Sequence, residues 1–217
     1  MSGFFITLEG GEGAGKSSLI RKLEEHLATL LPKENILVTR EPGASTIGQP
    51  IRDIILSLDN LGRELDPKAE ALLFAADRAQ HMAEKITPTL KDGGIVICDR
   101  FIDSSYAYQA VGRDLGDFVL ELSNWAISGR VPDLTIIIDI DPVVGLSRKN
   151  EQKELNKMEQ ESIEFHKKVR EAFLHLSNNG DPRFFIIDGN QTIEHIYQKA
   201  VKKVESQLLN YLNNKRY

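Results

Sequence analysis

One cysteine in 217 residues leaves this chain without an internal disulfide, so its fold has to be held by a core. That cysteine, Cys98, stands in the apolar run Ile95-Val96-Ile97-Cys98 and reads as a buried strand thiol rather than a nucleophile. No apolar run approaches the ~20 residues that a membrane-spanning helix requires. The first residues, which include Glu9 and Glu12, lack the basic start and small-residue cleavage pattern of an export signal, so a cytoplasmic protein is expected. Positive charge is in deficit, 27 Lys and Arg against 32 Asp and Glu for a net charge of -5, which argues against nucleic acid or an anionic membrane as the main partner. Any phosphate must then be held by a few local cations. Internal repeats, low-complexity linkers and shifts of composition are also lacking. With 41% hydrophobic residues the chain can build one core, and a single domain over 1–217 is expected.

What is present is an alternation. Short β-branched runs at Phe4 to Leu8, Ile36 to Thr39, Ile95 to Cys98, Leu134 to Ile140 and Phe184 to Ile187 predict five strands. Between and after them, helices are predicted at Lys16 to Leu31, Pro50 to Leu58, Pro67 to about Leu90, Asp117 to Ser128, Pro142 to Arg148, Ser162 to Ser177 and Thr192 to Leu212. Asp66-Pro67 and Asp141-Pro142 place a capping carboxylate before a proline at the first helical position. Asn190-Gln191-Thr192 fits a glycosylation sequon but reads better as a turn with Thr192 near a helix cap. Continuous apolar strands alternating with helices imply an α/β fold of three layers, a five-stranded parallel sheet with helices on both faces. Ligands of such a sheet bind beyond the carboxyl ends of its strands.

The first strand breaks into Gly10-Gly11-Glu12-Gly13-Ala14-Gly15-Lys16-Ser17 and then into a helix, the setting a phosphate-binding loop requires. Glycines at positive φ let the loop turn tightly enough to aim successive backbone N–H groups at one phosphate, and the helix adds its positive end. Lys16 can reach the β- and γ-phosphates as a mobile charge, while the Ser17 hydroxyl is placed to ligate Mg²⁺, so ATP or GTP with magnesium is expected. Asp99-Arg100, at the end of the third strand, could put a carboxylate near that magnesium and a guanidinium on a phosphate; a surface ion pair is the bland alternative, and the phosphate loop weighs against it. Asp139 and Asp141 end the next strand; Asp141 reads as a helix cap and Asp139 as at most ordering a metal shell, so neither is taken as a site residue.

Arg40-Glu41-Pro42-Gly43 adds an arginine after the second strand, held by a rigid turn. Phe74 and Arg78 lie four residues apart on one helical face, where a ring could stack on a base and a guanidinium could bond its edge; out of context a core phenylalanine beside a surface arginine is the commoner reading. Ser104 to Gln109 carry hydroxyl and amide groups suited to a nucleoside. The stretch from Arg148 to Glu161 is dense in charge, either a solvated helical face or a mobile lid that closes over a transferring phosphate.

Taken together, Gly10 to Ser17, Thr39-Arg40-Glu41-Pro42-Gly43, Phe74 to Arg78, Asp99-Arg100 followed by Ala107-Tyr108-Gln109, Arg130 to Thr135 and Glu159 to Ser162 closely resemble the bacterial type of thymidylate kinase over nearly the whole chain. The resemblance implies a P-loop nucleoside monophosphate kinase, a homodimer that uses ATP and Mg²⁺ to phosphorylate deoxythymidine monophosphate (dTMP) to the diphosphate (dTDP). By that likeness Arg40 and Arg100 grip the acceptor phosphate, Phe74 stacks on thymine, and Arg78 bonds its edge. Ser105 and Gln109 approach the base, Tyr108 crowds the ribose 2′ position, and Glu12 lies near the acceptor. The likeness departs at Gln152, where the bacterial branch carries a catalytic lid arginine. Lys149 or Lys153 is expected to stand in for it, and Arg148 matches a lid arginine. The lid is expected over approximately 148–161.

Phosphoryl transfer needs positioning and charge neutralisation more than covalent chemistry. Lys16 on the donor, Arg40 and Arg100 on the acceptor, and Arg148 or a lid lysine such as Lys153 on the migrating group would supply both. Two other readings share the loop. A nucleotide-controlled switch would carry a guanine-reading Asn-Lys-x-Asp, whereas Asn156-Lys157-Met158-Glu159 ends in Glu and does not follow a strand. A kinase for another nucleoside monophosphate, or for a deoxynucleoside, would differ in the pocket of Phe74, Arg78, Tyr108 and Gln109.

Overall fold

The structure is a computed structural model that describes residues 3–56, 65–150 and 156–214. Five strands form one parallel sheet in the order β2-β3-β1-β4-β5: β1 (Phe4–Glu9), β2 (Ile36–Arg40), β3 (Ile95–Asp99), β4 (Leu134–Asp139) and β5 (Phe184–Asp188). The register pairs Phe4 with Ile95 and Leu8 with Asp99 on one side of β1, and Ile6 with Leu134 on the other.

Because side chains alternate along a strand, the central strands feed two cores. Phe4, Ile6 and Leu8, with Ile95, Ile97, Ile136 and Ile138, meet Leu19 and Leu23 of α1 (Lys16–Leu27) and Ile196, Ala200 and Val204 of α9 (Ile193–Asn214). On the opposite face Phe5, Val96 and Cys98 pack with Met82, Ile86, Leu90 and Phe101. Ile137 packs there with Phe165, Val169 and Phe173 of α8 (Ile163–Ser177). That is the expected three-layer α/β arrangement. Cys98 is fully buried, its Sγ donates to the Arg100 carbonyl at 3.1 Å, and burial pushes its thiol pKa well up, so it is the inert strand thiol the sequence implied.

Most elements fall where hydrophobic periodicity places them, with shifts at the ends. The first helix stops at Leu27, four residues before Leu31, and β4 stops at Asp139, one before Ile140. α2 (Gly48–Leu56) starts two residues before Pro50, and the expected end at Leu58 lies outside the described residues. The long helix expected from Pro67 to about Leu90 is α3 (Pro67–His81), a π-helical stretch Met82–Ile86 and α4 (Thr87–Lys91). Asp66 caps α3 by accepting from Lys68 N, Asp141 accepts from Val143 N at the start of α7 (Pro142–Asn150), and Thr192 accepts from His195 N ahead of α9. The remaining helices are α5 (Ile102–Ser105), continued by a π-helical stretch Tyr106–Gly112, and α6 (Phe118–Ile127). Every strand ends at its carboxyl end on a charged residue: Glu9, Arg40, Asp99, Asp139 and Asp188.

Candidate active site

Beyond these strand ends lies one cavity of about 740 Å³. Its floor at one end is the loop between β1 and α1. Gly10, Gly13 and Gly15 have φ of 130°, 66° and 94°, the left-handed values that favour glycine. α1 begins after Gly15 with no side-chain cap, so its first N–H groups stay available. Glu12, Gly13, Ala14, Gly15, Lys16 and Ser17 line the cavity, whereas Gly10 and Gly11 do not. Those two serve through their carbonyls: Lys16 Nζ donates to Gly10 O at 3.0 Å and Gly11 O at 2.9 Å. Burial and the neighbouring Arg100 lower the Lys16 pKa to about 8. Gly13 meets α7 so closely that a Cβ there would stand 1.9 Å from Gly145 O.

Arg100 follows β3 with φ 70°, a conformation that costs a non-glycine residue on the order of 1 kcal/mol. Its guanidinium is held by Glu12 Oε1 at 2.6 Å, Gly10 O at 3.1 Å and Ser104 Oγ at 3.1 Å. Burial would raise the Glu12 pKa, but Arg100 and Lys16 outweigh it and hold the carboxyl at about 2. Tyr108 donates its hydroxyl to the same Glu12 oxygen at 3.1 Å. Arg40 is exposed at the rim, 3.4 Å from Gln49 Oε1.

The far wall carries Phe74, Arg78, Ser105 and Gln109. Here the commoner reading of the helical pair is reversed: Arg78 is buried and Phe74 only half-buried. Arg78 donates Nε to Glu41 Oε2 at 2.8 Å, Nη1 to Ser105 Oγ at 3.0 Å and Ser123 Oγ at 3.4 Å, and Nη2 to Phe101 O at 3.2 Å. Four of its five N–H groups are thus used, and the fifth has no hydrogen-bond partner among the described residues, while Arg78 itself lines the cavity. Glu41 also contacts His81 Nδ1 at 3.0 Å, and His81 Nε2 meets Thr39 Oγ1 at 2.7 Å, so a buried chain of polar groups fixes the guanidinium.

Asp99 and Ser17 line the same cavity, and Asp99 Oδ1 is buried without a hydrogen-bond partner among the described residues. An orphaned buried carboxylate oxygen is costly, and a hard cation or its water would satisfy it. Among the described residues no three acidic, His or Cys side chains could hold a metal unaided, which suits an ion shared with substrate phosphates. The residues present therefore fit Mg²⁺.

The segment after α7 is only partly described. Arg148 lines the cavity and donates to Gly189 O at 3.3 Å, while Lys149 pairs with Glu159 at 3.2 Å. Lys153 and Gln152 lie outside the described residues. A solvated helical face does not describe 156–161, which is non-helical and buries Met158 and Glu159. Asp139 is taken by a two-point pair with Arg170, 2.6 and 2.9 Å, which ties the end of β4 to α8 rather than ordering a metal shell.

Sequence reasoning missed Arg52, whose guanidinium lines the cavity and donates to Pro42 O at 2.9 Å. Burial, Arg40 and Arg100 all depress its pKa, the mark of three cations converging. The local signal for it is Gly43, φ 115°, where a Cβ would lie 2.8 Å from Arg52 Cδ. It also missed Glu9, which accepts from Phe101 N at 2.8 Å and Ser104 Oγ at 2.6 Å.

A family model described as thymidylate kinase matches residues 8–200. A thymidylate kinase of Clostridium novyi (strain NT) is 45% identical over 203 residues, covering 91% of this chain and 96% of that protein. One of Acholeplasma laidlawii (strain PG-8A) is 46% identical over 208 residues, covering 94% and 100%. The crystal structure of thymidylate kinase from Ehrlichia chaffeensis superposes with a TM-score of 0.75 at 29% identity, covering 94% of this chain and 99% of that one. With the phosphate loop, the Asp-Arg strand end and the buried arginine on one cavity, the chain belongs to the thymidylate kinase family.

Proposed function

We propose that this chain catalyses the ATP-dependent phosphorylation of dTMP to dTDP, with the donor on the phosphate loop and the acceptor between Arg100 and the far wall. The observation that carries the assignment is a single cavity running without interruption from Lys16 to Phe74, Arg78 and Gln109. Such a span lets two phosphates be brought in line with their repulsion cancelled.

On the donor side the backbone N–H groups of 13–17 and the Lys16 ammonium hold the β- and γ-phosphates. Ser17 and Asp99 would hold Mg²⁺, which supplies charge neutralisation on those phosphates when bound. On the acceptor side Arg40, Arg52 and Arg100 grip the monophosphate, and Glu12 holds the Arg100 fork in place. Phe74 stacks on thymine, Arg78 gives its remaining N–H to the O4 edge, and Ser105 and Gln109 approach the base. Tyr108 crowds the 2′ position and favours a deoxy sugar. The acceptor phosphate is already an anion near neutral pH, its second pKa being about 6, so no strong general base is needed. Arg148, Lys149 and Lys153 of a lid at approximately 148–161 supply the cation for the migrating group.

The chain acts as a single domain over 1–217 and as a homodimer. In support of the latter, Leu72 on α3 and Phe118 and Trp125 on the neighbouring α6 leave large apolar surface exposed. A cytoplasmic location accords with the fact that, among the described residues, no helix is long and apolar enough to cross a membrane.

ADP release from ATP and Mg²⁺, measured with each common nucleoside monophosphate in turn, tests the reading. Rapid turnover with dTMP alone is expected, and the same panel run on Gln152→Arg reports whether the lid cation is already supplied. Slow ATP loss independent of every acceptor would favour a nucleotide-controlled switch instead.

A further inference from the structure

Behind the far wall, away from the phosphates, Glu70 on α3 is buried between two partners. Its Oε1 accepts from Gln109 Nε2 at 2.9 Å, and the Arg113 guanidinium grips both its oxygens, Nε to Oε1 at 3.4 Å and Nη2 to Oε2 at 3.2 Å. Arg113 is itself fixed, 2.6 Å from Glu161 Oε1 and 4.8 Å over the Phe165 ring. Glu70 and Gln109 are each only 1% exposed.

A primary amide is nearly symmetric in shape, so a buried glutamine can present either its oxygen or its nitrogen to a ligand unless a neighbour decides. A carboxylate clamped by a guanidinium can only accept. It therefore draws the Gln109 nitrogen toward itself and leaves Oε1 for the cavity that Gln109 lines.

We propose that Glu70, held by Arg113, is a specificity-determining positioning residue that acts through Gln109 by locking its amide with the oxygen toward the acceptor base. This rests on the reading that the cavity takes dTMP. Thymine carries an N–H at ring position 3, which an amide oxygen accepts. Cytosine carries a lone pair there, which the same oxygen repels. Arg78 supplies the matching half, a donor where thymine has a carbonyl and cytosine an amino group. The device thus sorts bases by hydrogen-bond polarity and is indifferent to the 5-methyl group.

The test compares kcat/KM for dTMP and for 5-methyl-dCMP, which keeps the methyl and reverses the polarity, using the full chain, Glu70→Gln, Gln109→Ala and the double variant. In Glu70→Gln the new amide can donate or accept, so Gln109 is free to turn over. The preference for dTMP is expected to fall about tenfold, the worth of one hydrogen bond, mainly through KM. In the Gln109→Ala background the same change should leave the preference where it is. If Glu70→Gln does not fold, Arg113→Lys, which loses the two-point grip, should lower the preference in the same direction. An unchanged preference in folded Glu70→Gln, or an equal fall with and without Gln109, would overturn the proposal while the kinase reading stands. Absence of dTMP turnover in the unaltered chain would instead remove the kinase reading, and the proposal with it.

Discussion

The two ends of the cavity are built on different principles. The donor end is eight consecutive residues, Gly10 to Ser17, shaped by backbone: left-handed glycines, an uncapped helix start, and a lysine bonded to carbonyls of its own loop. The acceptor end draws Arg40, Phe74, Arg78, Arg100 and Gln109 from β2, α3 and the segment after β3, and side chains hold it. There three arginines each have an acid assigned to them, Glu41 for Arg78, Glu12 for Arg100, and Glu70 for Arg113 behind the wall, while Arg52 is held by the Pro42 carbonyl. A contiguous loop can be lost or kept as a unit, whereas a side-chain lattice can be dismantled one partner at a time.

The largest effect should come from breaking the lattice. Glu41→Ala strands the Arg78 guanidinium in a buried position with its charge uncompensated and leaves His81 Nδ1 without its partner. Removing one partner of a buried pair costs about 3–5 kcal/mol, so urea unfolding should show a loss of that size, with binding of dTMP impaired in whatever protein remains folded. A loss below about 1 kcal/mol, the value of an exposed pair, would mean that Arg78 does not depend on Glu41.

The donor end should respond in the opposite sense. Lys16→Met removes a charge that burial already disfavours, as its depressed pKa shows, and the flexible methionine fills the same space. Stability should stay within about 1 kcal/mol or rise, while kcat at saturating ATP should fall about 10²–10³-fold, the usual consequence of deleting one preorganised electrostatic contact. Urea unfolding and turnover measured on one preparation separate the two. A parallel fall in both would place Lys16 in the same class as Glu41 and erase the contrast.

This contrast also explains how far the sequence could be read. The phosphate loop is legible because its physics is local: the spacing of glycines, Lys16 and Ser17 contains the whole geometry. Strand and helix positions follow from apolar period, and errors gather at ends such as Leu27, where the helix stops before the apolar pattern does. Arg78 illustrates the limit. Its position four residues from Phe74 places it on a face, but nothing nearby in sequence says that the face is buried, because the acid that makes burial tolerable, Glu41, is 37 residues away. Arg52 is an intermediate case, its placement depending on the absent Cβ of Gly43, which lies close by in sequence but marks no partner by its residue type. The tie between Arg113, Glu70 and Gln109 crosses from α3 to the segment after β3 and leaves no trace in local periodicity.

Glu9 sharpens the comparison, because it ends β1 where the donor loop begins yet its carboxylate belongs to the acceptor end, accepting from Phe101 N and Ser104 Oγ. Burial first, and then the charge of Asp103, raise its pKa from 4.5 to about 8. A carboxyl whose folded pKa exceeds its unfolded value binds more proton in the native state, so its contribution to stability falls as pH rises from about 4.5 to about 8 and is level outside that window. Glu9→Gln keeps the shape of the protonated form and removes the titration. Its stability relative to the unaltered chain should therefore increase between pH 5.5 and pH 8, by on the order of 1–3 kcal/mol. Denaturant midpoints of both proteins across that range measure the difference. A difference that stays constant with pH would mean that Glu9 is ionised throughout, with Ser104 and Arg100 compensating its burial, and the seam between the two ends would then be an ion pair lattice like the rest of the acceptor side.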